Sequence, residues 1–381
     1  METIYLDHNA TTPLDPRVGQ AMATCWSTVF GNPSSQHSAG RAARRCLEEA
    51  RESIAASLGA RLAARPGDRV VLTSGGTEAN NLAMLGLAGA EPGRVVISAI
   101  EHPSVQEPAA LLARRGWEIQ SAGVSHDGVV DLAHLAELVD PSTRLVSLML
   151  ASNETGVVQP IAQAAQLCAE RNVPLHTDAA QVAGKLPIDF HHLGAAALSV
   201  TAHKLHGPIG IGALVIRGGI EPVPQLHGGF QQQGLRPGTE PVALAVGLAR
   251  ALELATSELS DRTARMRALR DRLIAGLRAT WPPLEVIGEA AERLPHTANV
   301  SFVGLDRQAL AVAFDLAGVA CSTGSACASG APKPSSTLLA MGLDRGVVEG
   351  ALRLSLGATS TEAEVDEAVR RISRIVKELR P

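Results

Sequence analysis

The strongest constraint on the fold is an alternation of helical and β-branched segments between residues 41 and 240. Short apolar runs such as RVVLTS, RVVISAI and RLVSLML are typical of strands, whereas RAARRCLEEARESIAASLG has the periodicity of a helix. Strands that alternate with helices form parallel sheets, because each helix carries the chain back across the sheet. The sequence therefore predicts a large α/β domain with a mostly parallel sheet of at least six strands, covered by helices on both faces.

A second, smaller domain is predicted at the C-terminal end of the chain. Residues 241–280 keep helical periodicity for about ten turns, so we expect one long helix that links the two domains. Beyond it, HTANVSFVG and ALRLSLG are typical of strands, and TEAEVDEAVRRISRIVKEL is typical of a terminal helix. We predict a large domain over 16–255 and a small α+β domain over 256–381, with the N-terminal segment 1–15 packing against the small domain.

Charge and hydropathy exclude several classes of protein. The chain of 381 residues has 34 Lys+Arg against 38 Asp+Glu, which excludes nucleic-acid binding through bulk positive charge. No apolar run approaches the ~18 residues of a membrane span. Asp7 and His8 stand where a signal peptide would need an apolar stretch. We therefore expect a cytoplasmic protein that contacts neither nucleic acid nor membrane directly.

Cysteine and lysine are both scarce, which restricts the possible chemistry. The five cysteines are widely spread and form no CxxC pair, so we expect neither a disulfide framework nor a bound metal. A lysine that forms a Schiff base must be one of only four, namely Lys185, Lys204, Lys333 and Lys377.

A phosphate site is predicted where the strand VVLTS runs into Ser74-Gly75-Gly76-Thr77 and then a helix. The free N–H groups at a helix start, together with the Thr77 hydroxyl, can hold a phosphate without a lysine. An ordinary turn with a helix cap explains the same residues equally well. The GxGxxG and GxxxxGK[ST] loops, which bind dinucleotides and nucleoside triphosphates, do not occur in the sequence.

Two charged residues follow predicted strands of the large domain. Asp178 comes at the end of VPLHTD, where an open α/β sheet presents functional side chains, and it can pair with a ring nitrogen or cap a helix. Lys204 lies between His203 and His206, and partial burial there would lower its pKa as an imine-forming amine requires. The alternative for Lys204 is an ordinary surface lysine.

Two residues of the C-terminal region are also candidates for chemistry. Cys327 lies among small residues in ACSTGSACASGAPKPSS, where an accessible thiol suits a nucleophile. The alternative, a small buried hydrophobe, fits the cysteines that lie in helical patterns. Arg353 stands alone among apolar residues in ALRLSLG, so it either faces a carboxylate or lies at a sheet edge.

Ten segments occur together in an order typical of one enzyme family. They are YLDHNATTPLDPRV, FGNPSSQHSAGR, TSGGTEANN, EHPSV, NETG, HTDAAQ, HKLHGP, RPGTE, GSACASG and LRLSLG. The chain thereby resembles the fold type I pyridoxal-phosphate enzymes of the class-V aminotransferase family, and within them the cysteine desulfurases of the NifS and IscS kind. The resemblance extends over nearly the whole chain and implies the fold of these enzymes.

The resemblance also implies how pyridoxal 5'-phosphate is bound. Lys204 is the Schiff-base lysine, Asp178 pairs with the pyridinium nitrogen, His102 stacks on the ring, and Gln181 bonds the phenolic oxygen of the ring. The positions that match phosphate-binding residues are Gly76, Thr77, Thr201, His203 and Thr239. Because the family takes the last of these from the partner subunit, the resemblance implies a homodimer.

The same resemblance implies the substrate site and the reaction. Arg353, Asn153 and Asn32 match positions that bind the substrate carboxylate, and Cys327 matches the cysteine that forms a persulfide. The catalytic residues are then Cys327, Lys204 and His102, and either of the last two can move the α-proton. The implied reaction converts L-cysteine to L-alanine and passes the sulfur to a protein acceptor, such as an iron–sulfur scaffold or a tRNA-thiolation protein.

Some details of the sequence depart from the family pattern and leave other activities open. Thr201 replaces a serine but keeps the hydroxyl, and GGFQQQG lacks the family's acidic residue and arginine. The alternatives are a selenocysteine lyase and a class-V aminotransferase, although an aminotransferase would not need Cys327. A non-catalytic scaffold is disfavoured because the site residues are all present.

Overall fold

Twelve strands form three sheets in the computed structural model, which describes residues 3–324 and 334–379. The strands are β1 (Ile4–Tyr5), β2 (Arg69–Thr73), β3 (Arg94–Ser98), β4 (Glu118–Ala122), β5 (Thr143–Met149), β6 (Leu175–Asp178), β7 (Ala197–Thr201), β8 (Gly212–Ile216), β9 (Leu284–Val286), β10 (Thr297–Phe302), β11 (Val319–Ala320) and β12 (Ala351–Ser355).

Seven of these strands form the large sheet, in the order β2-β8-β7-β6-β5-β3-β4. Strand β8 runs antiparallel to both of its neighbours, and every other pair in the sheet is parallel. The expected α/β fold with a mostly parallel sheet is therefore confirmed. Because all strands except β8 point the same way, their carboxyl ends meet at one edge, where such sheets place their ligands.

Thirteen α-helices lie in the described residues. They are α1 (Pro16–Thr28), α2 (Ser38–Leu58), α3 (Gly76–Leu87), α4 (Pro103–Arg114), α5 (Leu132–Leu138), α6 (Ile161–Glu170), α7 (Phe190–Leu193), α8 (Val242–Ser257), α9 (Leu259–Thr280), α10 (Arg307–Leu316), α11 (Ser336–Ala340), α12 (Arg345–Glu349) and α13 (Glu362–Glu378). None of them combines the length and the hydropathy that crossing a membrane requires.

Helices cover both faces of the large sheet because successive strand residues point to opposite sides. Val70 and Leu72 of β2 belong to a hydrophobic core that includes Leu47 and Ile54 of α2. Val71, between them, belongs to a second core that α3 and α4 share with β3. The β-branched runs are buried on both faces, as expected for a sheet that forms the middle layer between two layers of helices.

The single long helix expected over 241–280 is wrong, because Glu258 separates α8 from α9. Glu258 has φ −103° and ψ 10°, and its carboxylate pairs with Arg17 of α1 and with Arg262. Helix α8 packs against α1 and α2, whereas α9 packs against α13 and the small sheet. One irregular residue barely shifts the helical spacing of apolar residues, so periodicity alone does not reveal the break.

The C-terminal region is built on the antiparallel sheet β12-β10-β9, which α9, α10 and α13 cover. The N-terminal segment lies against this region, because β1 pairs in parallel with β11 and Asp7 forms a bridge with Ser355. Helix α13 begins with a capping box in which Thr361 and Glu364 bond each other's backbone N–H groups.

Two residues of α10 provide a test of this core. Phe314 is fully buried and packs edge-on against Phe302 with 6.0 Å between ring centroids, whereas Leu316 is 83% exposed. We expect Phe314→Ala to lower the free energy of unfolding by about 3–5 kcal/mol because it leaves a cavity. Leu316→Ala, as the control on the same helix, should change it by less than about 0.5 kcal/mol in urea denaturation. Equal effects of the two variants would contradict this packing.

Candidate active site

A cavity of about 230 Å³ lies at the edge of the large sheet where the parallel strands end. Strand β6 ends there at Asp178, β7 ends at Thr201, and the chain after β2 and β3 leads directly into α3 and to His102. Nine predicted site residues line this cavity, namely Gly76, Thr77, His102, Asn153, Asp178, Gln181, Thr201, His203 and Lys204. Residues that are far apart in the sequence are therefore brought together.

Asp178 is buried at the floor of the cavity, and each of its carboxylate oxygens accepts a hydrogen bond. Oδ2 accepts from Nδ2 of Asn80 at 2.6 Å, and Oδ1 accepts from the Ala180 N–H at 2.9 Å. Asp178 is paired in register with Met149 of β5, in the interior of the sheet. These donors hold the carboxylate at the strand end and stabilise its charge.

Asn80 also connects Asp178 to His102 through Ser104. Its Nδ2 donates to Ser104 Oγ at 2.8 Å, and this oxygen lies 2.7 Å from Nδ1 of His102. Burial lowers the pKa of His102, which favours the neutral ring. Our sequence reasoning missed Asn80 and Ser104, although an asparagine among the apolar residues of α3 was a usable signal.

Lys204 follows β7 in a short 3₁₀ helix, Ala202–Lys204, and its side chain is half-buried in the cavity. Its Nζ donates to the carbonyl oxygen of Asn9. The neighbouring His203 has its pKa lowered to about 4, first by burial and then by the positive charges of Lys204 and Lys185. Lys204 is thus not the ordinary surface lysine that was the alternative.

Asn9 is a third residue that sequence reasoning missed. Its carbonyl oxygen accepts from Lys204 and from Nε2 of Gln181 at 3.1 Å, and its Nδ2 donates to the carbonyl oxygen of Asn153 at 3.1 Å. Its Nδ2 also donates to Thr297 Oγ1 at 3.0 Å. One fully buried asparagine therefore joins the N-terminal segment, the large sheet and the small sheet.

The start of α3 forms another corner of the cavity. Gly75 has φ 156°, a conformation that favours glycine, and it offers no side chain to cap the helix. Gly76 packs close to Thr201 at the end of β7, since a Cβ at Gly76 would lie 3.5 Å from Thr201 Cβ. The N–H groups of the first helical turn and the Thr201 hydroxyl are thereby placed in the same corner.

Arg353 is buried behind the cavity and faces a carboxylate, one of the two alternatives that the sequence left open. Its Nη2 lies 2.7 Å from Oδ1 of Asp7, and its Nη1 donates to the carbonyl oxygen of Asn153 at 2.9 Å. Although β12 is an outer strand of the small sheet, Arg353 also forms a backbone bridge with Ser322. Asn153 lines the cavity directly, whereas Arg353 contacts it through the Asn153 carbonyl.

Among the described residues, two further predicted site residues do not line this cavity, and a third lies outside the described part of the chain. Asn32 is exposed, and its Oδ1 accepts from the Ser34 N–H at 2.9 Å in a local turn. Thr239 is exposed just before α8 and does not line the cavity of its own chain. Cys327 lies outside the residues that the structure describes.

Comparison with known proteins identifies the family. Residues 4–368 match the aminotransferase class-V family. A Mycobacterium tuberculosis protein described as an IscS-like cysteine desulfurase is 44% identical over 375 residues, which cover 96% of this chain and 94% of the relative. The chain belongs to the class-V aminotransferases, among the cysteine desulfurases.

Further relatives agree with this class-V assignment over the whole length. The cysteine desulfurase NifS of Azotobacter vinelandii is 39% identical over 382 residues, covering 100% of this chain and 94% of the relative. A solved structure described as a NifS-like protein has a TM-score of 0.91 at 35% identity, covering 99% of this chain and 100% of the other. The family expected from the ten segments is confirmed.

Glu101, next to His102, is a further buried acid in this class-V site. Its Oε1 accepts from Ser98 Oγ at 2.5 Å and from the Met149 N–H at 2.9 Å, while its Oε2 is buried without a partner in the described part of the chain. Burial, reinforced by the charge of Asp178, raises the pKa of Glu101 to about 8. The Glu101 carboxyl is therefore mostly neutral at pH 7.

Neutral Glu101 predicts a specific dependence of stability on pH. The ordinary pKa of this carboxyl is 4.5 and the folded value is about 8, so the folded state holds an extra proton between these values. The free energy of unfolding therefore includes a favourable contribution from protonated Glu101 at low pH, and this contribution decreases as the pH rises from 4.5 to about 8. Glu101→Gln lacks this proton equilibrium. The difference between its melting temperature and that of the original protein should therefore shift in favour of the variant as the pH rises from 5 to 9.

The control is Glu107→Gln, which changes an exposed glutamate of α4. Its melting temperature should differ from that of the original protein by a constant amount over the same pH range. A constant difference for Glu101→Gln as well would show that Glu101 is ionised throughout and would contradict the assignment.

Proposed function

We propose that this chain is a pyridoxal-phosphate-dependent cysteine desulfurase, which converts L-cysteine to L-alanine and leaves the sulfur on Cys327. The observation that carries the proposal is that Lys204, Asp178 and His102 line one cavity, in a chain whose relatives are described as cysteine desulfurases. A lysine amine, a carboxylate and an imidazole are the groups that pyridoxal-phosphate chemistry on an amino acid needs.

The donors and acceptors of the cavity fit pyridoxal 5'-phosphate. Lys204 offers the amine that a pyridoxal aldehyde requires, and Asp178 offers a carboxylate to a ring nitrogen. Helix α3 has no side-chain cap, so its first N–H groups can hold a phosphate together with Thr201 and His203. Gln181 lines the cavity with Oε1 buried and unpaired in the described residues, which suits a polar ligand group.

Each cavity residue then has a distinct role. When bound, the cofactor supplies an electron-accepting ring that stabilises the charge left when an amino acid loses its α-proton. Asp178 would hold a proton on the ring nitrogen, His102 would stack on the ring, and Gln181 would bond the phenolic oxygen. Gly76 and Thr77 would bind the phosphate, together with the other residues of that corner.

The substrate carboxylate is bound by Asn153 and Arg353. The ion pair with Asp7 and the hydrogen bond to the Asn153 carbonyl fix the position of the Arg353 guanidinium group beside the cavity. A carboxylate that enters the cavity gains a planar pair of donors from Arg353 by competing with Asp7.

Besides the bound cofactor, the sulfur step uses the substrate, protons and the Cys327 thiol. The thiolate attacks the substrate sulfur, so an S–S bond forms as the bond between that sulfur and the substrate Cβ breaks. The electron pair of the broken bond stays with Cβ, which takes up a proton and becomes the methyl group of alanine. The enzyme thiol has become a persulfide, and no external oxidant is consumed.

We also propose the surroundings in which the chain works. Residues 16–255 form the cofactor-binding domain and residues 256–381 the small domain, with the segment 1–15 against it. The persulfide is delivered in the cytoplasm to a protein acceptor, an iron–sulfur scaffold or a tRNA-thiolation protein. Two chains form a homodimer in which the partner's Thr239 completes the phosphate site, consistent with the exposed position of this residue in its own chain.

The desulfurase proposal predicts different outcomes for two cysteine variants. The purified protein should absorb visible light, respond to L-cysteine by a spectral change, and release alanine and, with reductant, sulfide. Cys327→Ala should keep the spectral change and lose at least a hundredfold of the sulfide release, because the nucleophile is missing. Spectra and product assays without any keto acid distinguish this reaction from transamination.

Cys321→Ala is the matched control for this experiment. Burial, together with the charge of Asp7, raises the pKa of the Cys321 thiol to about 12, so it should not act as a nucleophile, and its variant should stay active. An active Cys327→Ala variant would contradict the role of Cys327, and a colourless protein that gains nothing from added pyridoxal phosphate would contradict the whole proposal.

The homodimer predicts complementation between two defective subunits. Thr239→Ala should weaken cofactor retention and Lys204→Ala should abolish the covalent attachment of the cofactor. A dimer of one subunit of each kind has one site with both residues intact, so co-expression should restore retention in that site. Cofactor absorbance after dialysis measures this, and its failure to exceed that of either variant alone would contradict a shared site.

A further inference from the structure

The polar network beneath His102 determines which ring nitrogen can carry a proton. Two donors converge on Nδ1, because the Ser104 N–H donates to it at 3.1 Å and the Ser104 hydroxyl lies 2.7 Å away. The backbone N–H can only donate and therefore favours an unprotonated Nδ1, and the shorter contact from the Ser104 hydroxyl adds a second hydrogen bond that only the unprotonated nitrogen can accept. In a neutral imidazole the remaining proton is then on Nε2.

Asn80 sets the direction of the Ser104 hydroxyl. Its Nδ2 donates to Ser104 Oγ at 2.8 Å, which leaves the hydroxyl hydrogen of Ser104 available to His102. The same Nδ2 donates to Asp178 Oδ2 at 2.6 Å. Rotating the amide by half a turn would place Oδ1 against this carboxylate oxygen, so the orientation with Nδ2 toward Asp178 is the favourable one.

The network is rigid because its members are buried on regular elements. Asn80 is 1% exposed within α3, and Ser104 is 7% exposed in the first turn of α4. His102 is the N-cap of α4, and its own ring is the group that accepts the bond from Ser104. Burial also lowers the pKa of His102, which favours the neutral ring.

We propose that Asn80 and Ser104 are positioning residues that lock His102 in the tautomer with its proton on Nε2. This inference rests on the role of His102 in the proposed function. In that tautomer Nε2 has no lone pair for a proton, and Nδ1 is held by Ser104. His102 therefore offers a hydrogen-bond donor at Nε2 and no basic ring nitrogen.

The tautomer is measured directly by NMR of the full-length holoenzyme labelled with ¹⁵N-histidine. Long-range ¹H–¹⁵N correlations distinguish a protonated from an unprotonated ring nitrogen, and subtraction of a His102→Gln spectrum assigns the signal. We expect the Nε2–H form alone in the original protein at pH 7–8. We expect a measurable fraction of the Nδ1–H form in Ser104→Ala and Asn80→Ala, and the original signal in Ser104→Thr, which keeps the hydroxyl.

Several results would overturn the proposal. His102 as the Nδ1–H form or as an imidazolium in the original protein would do so, and so would unchanged signals in both alanine variants. If Asn80→Ala fails to fold, Ser104→Ala compared with Ser104→Thr decides. Since the tautomer is read without turnover, failure here leaves the desulfurase assay unaffected, and failure of that assay leaves the tautomer result intact.

Discussion

A carboxylate buried at the end of a strand is costly unless donors reach it, and this requirement organises the site around Asp178. One donor comes from the next turn of the same chain segment and the other from Asn80 on α3. Because Asn80 also bonds Ser104, the requirement extends to the orientation of His102. A single buried charge thereby links β6, α3 and the start of α4 into one arrangement.

The N-terminal segment supplies the other half of the site. Asp7 neutralises Arg353, and the backbone of Asn9 accepts from both Lys204 and Gln181. These contacts come from residues next to β1, which is itself paired with β11 rather than with the large sheet. The segment therefore joins the cavity to the small sheet, and the contacts of Arg353 and Lys204 depend on its position.

Much of this arrangement is predictable from the sequence for a simple reason. Strand ends can be located from short apolar runs, and parallel strands bring their ends to one edge, so Asp178 and Lys204 could be expected together, whereas His102 was expected from the resemblance to the family. The hydrogen-bond partners of Asn80 and Asn9 could not be predicted, because they lie 98 and 195 positions away, although an asparagine among the apolar residues of α3 does indicate a buried polar group. The break between α8 and α9 at Glu258 could not be predicted either, because the helical spacing of apolar residues barely changes across one irregular residue.

The pairing of β1 with β11 has a consequence for biosynthesis. Ile4 leaves the ribosome early but finds its register partner, Val319, only after most of the chain has been made. The large sheet closes sooner, once β8 is available to lie between β2 and β7. The pairing that joins the first strand to the small domain can therefore form only near the end of synthesis.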